Sequence, residues 1–439
     1  MISTKDKKLA QWAMDYALKN GCQDVKLVLY EGINSNYSLR DAKIETLEQA
    51  SEKALGFQLY VKGRFGSFST NRLDKKELEL FINRGIDSTL YLAEDKARTL
   101  PDPNRYYMGG LPDLNLYDDS FLKIQPDFKI EIAQNIANEV LGRDSRILSV
   151  STTYTDGVSS SFQLASNGFE GELSRSWYSV SSSVSIKGEG DVRPSDFWYN
   201  SSLFFDDLDP VGVGAKALER TLRKLGQRKV KSGKYTMVVD PLISSRLLSP
   251  LLSALYGNNL QQKNSFLHDK LNKKVGSDLF TLYDHPHLKK ANGARYFDGE
   301  GVATKSREIF TEGLLNTFFI DTYIGHKMDI EPTISGPSLL EMNLGDQNLC
   351  DMIASVTNGI LVTSFNGGNS NSTTGDFSFG IEGFLIENGV LTQPVSEMNI
   401  TGNLVSLWNS LVLVGSDPIL SSSWRIPSLA FENVDFSGL

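Results

Sequence analysis

The sequence predicts an α+β protein with an N-terminal helix-strand-helix domain, an antiparallel meander, and a large, mainly antiparallel β domain at the C-terminal end. Three observations carry this expectation. A chain of 439 residues exceeds the roughly 250–300 at which one hydrophobic core stops growing, so several domains are expected. Helical periodicity is confined to short segments before residue 260. Beyond residue 280 strand-like runs dominate, without the fixed period of a solenoid or propeller.

In the first helix Leu9, Trp12, Ala13, Tyr16 and Ala17 share one face, and Gly21 supplies a left-handed stop. Strands are expected at 24–30, 37–47 and 55–70, with Gly32, Gly63 and Gly66 marking turns. Asp74 and Glu77 form a capping-box pattern ahead of Leu78, Phe81, Ile82 and Ile86. The stretch 99–126 is rich in Pro, Gly, Asp and Asn and reads as a surface connection, so the first domain is taken as 1–110.

Pro126 opens a helix bearing Ile130, Ile132, Ile136 and Val140. From 147 to 204 Ser, Thr, Tyr and Val alternate, with turn signals at Asp156-Gly157, Asn167-Gly168 and Gly188-Glu189-Gly190. Asp209-Pro210 caps a helix with Ala217, Leu218, Leu222 and Leu225 inward, closing a central domain at 111–228. The C-terminal domain, 229–439, starts with a strand at 235–239 and a helix at 241–256 that Pro250 interrupts and Ser249 recaps. Strand runs follow at 313–321, 359–365, 377–387 and 411–414.

Hydrophobic residues make up 40% and charged residues 22%, the usage of an ordinary folded protein. The longest apolar runs, 359–362 and 411–414, fall far short of the ~18 residues of a membrane helix. Residues 1–9 are charged, and no apolar stretch with a cleavage site follows, so neither membrane insertion nor export is expected. Cys22 and Cys350 are too few for a disulfide framework, and two buried, inert thiols in a reducing cytoplasm are the expected reading. A net charge of -9 points away from nucleic acid. The basic run 220–234 reads as a solvated helix end rather than a DNA-binding face.

A zinc peptidase needs two imidazoles aimed at one metal from one helical face. The four histidines, His268, His285, His287 and His326, include no pair at helical spacing. Asp284, His285, His287, Asp298 and Glu300 mix nitrogen and oxygen ligands, but their spacing matches no metal motif, and Pro286 with its neighbours indicates a solvated loop. There is no GxSxG elbow and no GxxxxGK[ST] phosphate loop, and Gly109-Gly110 and Gly367-Gly368 lack the lysine of one. No catalytic residue, metal ligand or cofactor is assigned.

The most distinctive stretch is 366–389, where Asn and Gly permit tight turns and Phe377, Phe379, Ile381, Phe384 and Ile386 suit a sheet. Its plain reading is a pair of hairpins. Its sharper reading is a bulged edge that offers backbone groups to an extended peptide. The candidate peptide or partner contacts are Asn366, Gly367, Gly368, Asn371, Thr374, Gly375, Asp376 and Ser378.

Residues 373–404, TTGDFSFGIEGFLIENG followed by a P-V and a G-N-L, resemble the C-terminal signature of the TldD/PmbA family. Residues 231–240 (KSGKYTMVVD), 297–313 (FDGEGVATKSREIFTEG) and 55–69 (LGFQLYVKGRFGSFS) are similar to it too, so the resemblance runs through nearly the whole chain. TldD-like members resemble zinc peptidases with an HExxxH helix, whereas PmbA members, also called TldE, lack it and pair with TldD. The corresponding segment here, 245–256 (SRLLSPLLSALY), has neither His nor Glu, which matches the PmbA branch. The resemblance implies a non-catalytic subunit in a cytosolic TldD-TldE peptidase assembly. The metal would lie in a TldD-like partner, and the substrate would be an unfolded or extended peptide. A homodimer is the alternative assembly when the chain is alone. Two other readings stand beside this: an independent hydrolase with a spatially assembled site, and a regulatory binding protein of the DNA gyrase modulator type acting without direct DNA contact.

Overall fold

Ser3 accepts a hydrogen bond from the Asp6 amide and starts α1 (Thr4–Lys19), whose small residues Ala10, Ala13 and Ala17 are buried. The computed structural model describes residues 2–439; Met1, part of the charged N-terminal run, lies outside them. Helix α1 lies against β1 (Asp24–Arg40), which joins β2 (Lys43–Val61) through Asp41 and Ala42, both at positive φ, as a two-residue hairpin. After β3 (Arg64–Thr70), Asp74 accepts from the Lys76 amide at 2.9 Å and caps α2 (Lys75–Thr89).

Helix α3 (Pro126–Asn138) precedes β4 (Ile147–Ala165), β5 (Phe169–Ile186), β6 (Ser195–Ser202) and α4 (Val213–Leu222). The six strands form one antiparallel sheet in the order β3-β2-β1-β4-β5-β6. Strands on either side of the 99–126 connection therefore pair directly, with Lys26 opposite Ala165 and Arg40 opposite Ser151. Residues of α1 to α4 all pack on one face, where Leu27, Leu29, Tyr154, Phe162, Tyr178 and Val184 are buried. The opposite face of β4 and β5 bears half-buried Thr155, Ser159, Arg175, Trp177 and Ser179.

Four expected turn or cap signals lie elsewhere. Gly32, Gly66 and Asp156-Gly157 sit inside β1, β3 and β4. A Cβ on Gly157 would come within 2.0 Å of the Trp177 indole, so this glycine serves close packing across the strands. Asp156 is buried against Lys129 of α3. Helix α4 is not capped by Asp209-Pro210: the Glu139 carboxylate accepts the amides of Gly212 and Gly214 at 2.8 Å and of Ala215 at 3.1 Å. A carboxylate from another segment thus satisfies the free amides and positive end of α4.

The chain continues through β7 (Gly233–Val239), α5 (Ser245–Ala254), α6 (Gly257–Gln261), β8 (Leu282–Asp284), β9 (Arg307–Thr311) and β10 (Leu314–Leu315). Next come α7 (Thr322–Met328), β11 (Leu340–Met342), α8 (Leu349–Ser355), β12 (Asn358–Phe365), β13 (Asn369–Ser370) and β14 (Asp376–Glu387). The last elements are β15 (Val390–Asn403), α9 (Leu404–Asn409), β16 (Leu411–Val414), β17 (Trp424–Arg425) and β18 (Leu429–Ser437). In the larger sheet the order β12-β7-β18-β15-β14 closes on itself, because β12 also pairs with β14. A smaller sheet runs β10-β9-β8-β11-β17. The core between them holds the fully buried Trp408, 4.2 Å from the Phe280 ring centroid. The fold is mixed α+β with mostly antiparallel sheets and a β-rich C-terminal region.

Pro250 does not restart a helix. Helix α5 runs through it, losing the one backbone bond a proline cannot donate, because Leu247, Leu248, Leu251 and Leu252 are buried on both sides of it.

Candidate functional site

The eight residues singled out from the sequence form one continuous strip between β12 and β14. Asn366 donates its amide to the Gly380 carbonyl at 2.7 Å. Gly368, at φ +85°, passes so close to β14 that a Cβ would meet the Ser378 carbonyl oxygen at 2.1 Å. Asn371 folds the tip: its side-chain oxygen accepts the Thr373 amide at 2.9 Å, and its carbonyl accepts the Gly375 amide at 2.8 Å. Asp376 accepts from Asn403 Nδ2 at 3.0 Å and from Thr374 Oγ1 at 2.7 Å. The Asn403 bond first, and the Thr374 bond second, hold its carboxyl below the ordinary carboxylate range. Gly375 is buried against Phe266, and the other seven candidates are exposed.

The strip is less of a sheet edge than expected. Strand β14 pairs with β15 along one side and with β12 and β13 along the other, so its backbone is spoken for except at the bulges after Ile381 and Leu385. Barrel closure removes edges. The backbone edge that remains belongs to β13, two residues long.

The strip is clasped to the segment that follows α6. Asn264 Oδ1 accepts from Ser372 Oγ and Thr373 Oγ1, both at 2.7 Å, and the Phe266 amide donates to the Ser372 carbonyl at 2.9 Å. Ser265 Oγ in turn donates to Ala254, the last residue of α5, and Arg246 of α5 lies 5.4 Å from the Phe379 ring. Asn264 and Asn403 hold the strip yet were not marked from sequence, although Asn403 lies within the G-N-L motif. The outward positions of α5 carry Ser245, Arg246, Ser249, Pro250 and Ser253. A guanidinium and three hydroxyls do not fit a zinc ion, which takes imidazole, thiolate or carboxylate. Among the described residues no group of three or more His, Cys, Asp or Glu is arranged to hold a metal.

The Asp284 to Glu300 segment is not the solvated loop expected. Asp284 is fully buried and accepts the amides of Ser338 and Leu339. Asp298 is buried too and accepts the amides of Glu300, Val302 and Ser335. Both carboxylates pin loops. His287 Nε2 lies 3.0 Å from Thr304 Oγ1, but that hydroxyl is buried and donates to the Arg295 carbonyl at 2.7 Å, so no base can take its proton for attack. Burial pushes the Cys22 thiol up to about 12, which makes it a poor nucleophile.

The basic run is also not a simple solvated helix end. Arg220 pairs with Asp240 at 3.1 Å, and Lys224 pairs with Asp196 at 3.3 Å and Glu382 at 2.9 Å, all of these side chains being largely buried. The network lines a cavity of about 290 Å³ that Asn366 borders, so one end of the strip meets it. The carboxylates come from segments distant in sequence, which is why the run alone did not reveal them.

Similarity extends along the whole chain and places it among metalloprotease-like proteins. The PmbA/TldA metallopeptidase domain 1 matches residues 25–89, the central domain 119–225 and the C-terminal domain 232–438. The chain belongs to the PmbA/TldD metallopeptidase family. It is 29% identical to the metalloprotease PmbA of Escherichia coli O157:H7, over 98% of this chain and 97% of that one. A crystal structure of a candidate modulator of DNA gyrase from Bacteroides thetaiotaomicron is 64% identical, covers 100% of both chains and superposes with a TM-score of 0.99. TldE of Thermococcus kodakarensis shares the fold, with a TM-score of 0.86 at 20% identity over 98% of this chain and 100% of that one.

Proposed function

We propose that this chain is the non-catalytic, PmbA/TldE-type subunit of a two-chain peptidase that acts on unfolded or extended peptides, with a TldD-like zinc chain as its partner. The observation that carries the reading is α5: in a family of metallopeptidases, its outward face bears Ser245, Arg246, Ser249, Pro250 and Ser253 and no metal ligand. The exposed strip from Asn366 to Ser378 is fastened to the same helix and supplies the peptide or partner contact. An independent hydrolase is disfavoured, because the hydroxyl nearest a histidine, Thr304, is buried and already donates its proton. A gyrase-modulating role, the name carried by a relative, would run through a protein partner, since Arg220 and Lys224 are engaged with carboxylates and not free for phosphates.

The test is zinc content and cleavage of an unfolded polypeptide, measured on the pure chain and on the chain mixed with a TldD-like protein. Metal-free, inactive chain alone and chelator-sensitive cleavage by the mixture are expected. Stoichiometric zinc in the pure chain, or chelator-insensitive cleavage by it, overturns the proposal.

A further inference from the structure

A cavity of about 470 Å³ opens between the β5-β6 end of the N-terminal sheet and the C-terminal region, away from α5 and the strip. Arg175 and Trp177 project into it from β5, Lys290 from the segment before β9, and Arg425 from β17. No Asp or Glu lines it.

Its cations are poorly neutralised. Arg175, half-buried on β5, has no hydrogen-bond or ion-pair partner among the described residues. Burial first, and the nearby Arg295 second, depress its pKa. Arg295 gives no relief, since it donates only to the Gly336 and Pro337 carbonyls and the Ser338 hydroxyl. Lys290 and Arg425 each have one carboxylate, Asp207 and Glu341, at a loose 3.5 Å. The buried Arg425 Nε has no acceptor at all. In a chain of net charge -9, a walled pocket of excess positive charge with donors left open is costly to fold unless an anion completes it.

We infer that this pocket binds a carboxylate carried on a short peptide. The guanidinium fork of Arg175 matches two carboxylate oxygens, with Lys290 as a second charge. The space far exceeds an inorganic anion, and Trp177, Leu203 and Leu420 give apolar wall to an attached organic group. The carboxylate assignment stands on these residues alone; its being a peptide rests on the proposed peptidase role. The source is either a free C-terminus or an acidic side chain.

Calorimetry on the isolated full chain tests this without any partner subunit, so failure of the two-chain proposal would not mask it. The probes are acetyl-Ala-Leu-Ala as free acid, the same peptide as its amide, acetyl-Ala-Glu-Ala amide, and inorganic phosphate. Saturable binding of the free acid, with the plain amide at least about tenfold weaker, is expected. Equal binding of the Glu-containing amide assigns a side chain as the natural source, and its weak binding assigns the C-terminus. Arg175→Gln weakens binding at least about tenfold while melting no lower than the parent, because it removes a desolvated charge without a partner. Lys290→Gln, at a half-exposed position, weakens binding several-fold and guards against a folding defect in the first variant. No saturable carboxylate binding, unchanged binding in both variants, or phosphate binding as tight as the free acid overturns the inference.

Discussion

The buried pair Lys129 and Asp156 offers a direct measure of what joins α3 to the first sheet. Their side chains are 6% and 0% exposed, and Lys129 Nζ lies 2.5 Å from Asp156 Oδ2. Tyr154 also donates to Oδ2 at 3.1 Å, and Oδ1 has no partner. The ammonium sits among aromatic rings, 5.2 Å from Phe121 and 5.7 Å from Tyr37. Asp156→Asn keeps the shape but leaves that ammonium without its counter-charge in a dry site, a loss of about 3–5 kcal/mol. Lys129→Met strands the carboxylate and costs about the same. Replacing both, as Lys129→Met with Asp156→Asn, removes both buried charges, so the double variant is more stable than either single one. On a unit of the six-stranded sheet's size, about 200 residues, each single variant lowers Tm by roughly 6–20 °C. Urea unfolding followed by far-UV circular dichroism measures the cycle. Single variants within about 1 kcal/mol of the parent, or a double variant at the sum of the two losses, would refute the reasoning.

Gly157→Ala forces a methyl onto the Trp177 indole at 2.0 Å and costs about 1–3 kcal/mol of stability, read in the same assay; Ser159→Ala, two residues along on the same face, leaves stability nearly unchanged. Cys350, expected to be buried and inert, is exposed, while Cys22 is buried with its pKa pushed up to about 12, so a thiol reagent at pH 8 titrates one fast thiol per native chain and two after unfolding. Because the folded thiol holds its proton more tightly than the unfolded one, the stability tied to Cys22 is complete below about pH 8.5 and is lost as pH rises towards 12. Cys22→Ala should flatten that alkaline slope. In the reconstituted pair, Asn371→Ala with Asp376→Ala lowers peptide cleavage while the chain still co-purifies with its partner; unchanged cleavage removes the strip from the contact.

Local chemistry was legible wherever neighbours in sequence are neighbours in space. The α1 face, the Asp74 cap, the Asn167-Gly168 hairpin and the strands β12, β14 and β16 follow from periodicity and turn residues, whereas β15 and β18 carry no such signal. The resemblance and the missing ligands in 245–256 were readable too, because a helix that lacks His and Glu lacks them in any fold. The order of residues thus carries the α+β class, the kinship and the absence of His and Glu from α5. Tertiary structure decided the rest through pairing across long separations. Gly157 looked like a turn until Trp177 lay on it, and Arg220 and Lys224 looked solvated until Asp196, Asp240 and Glu382 arrived from three other segments. The strip at Asn366 to Ser378 looked like an open edge until β12 closed the barrel against β14. A residue's charge and size are written in the chain, but its dielectric surroundings and backbone partners are set only when distant segments meet.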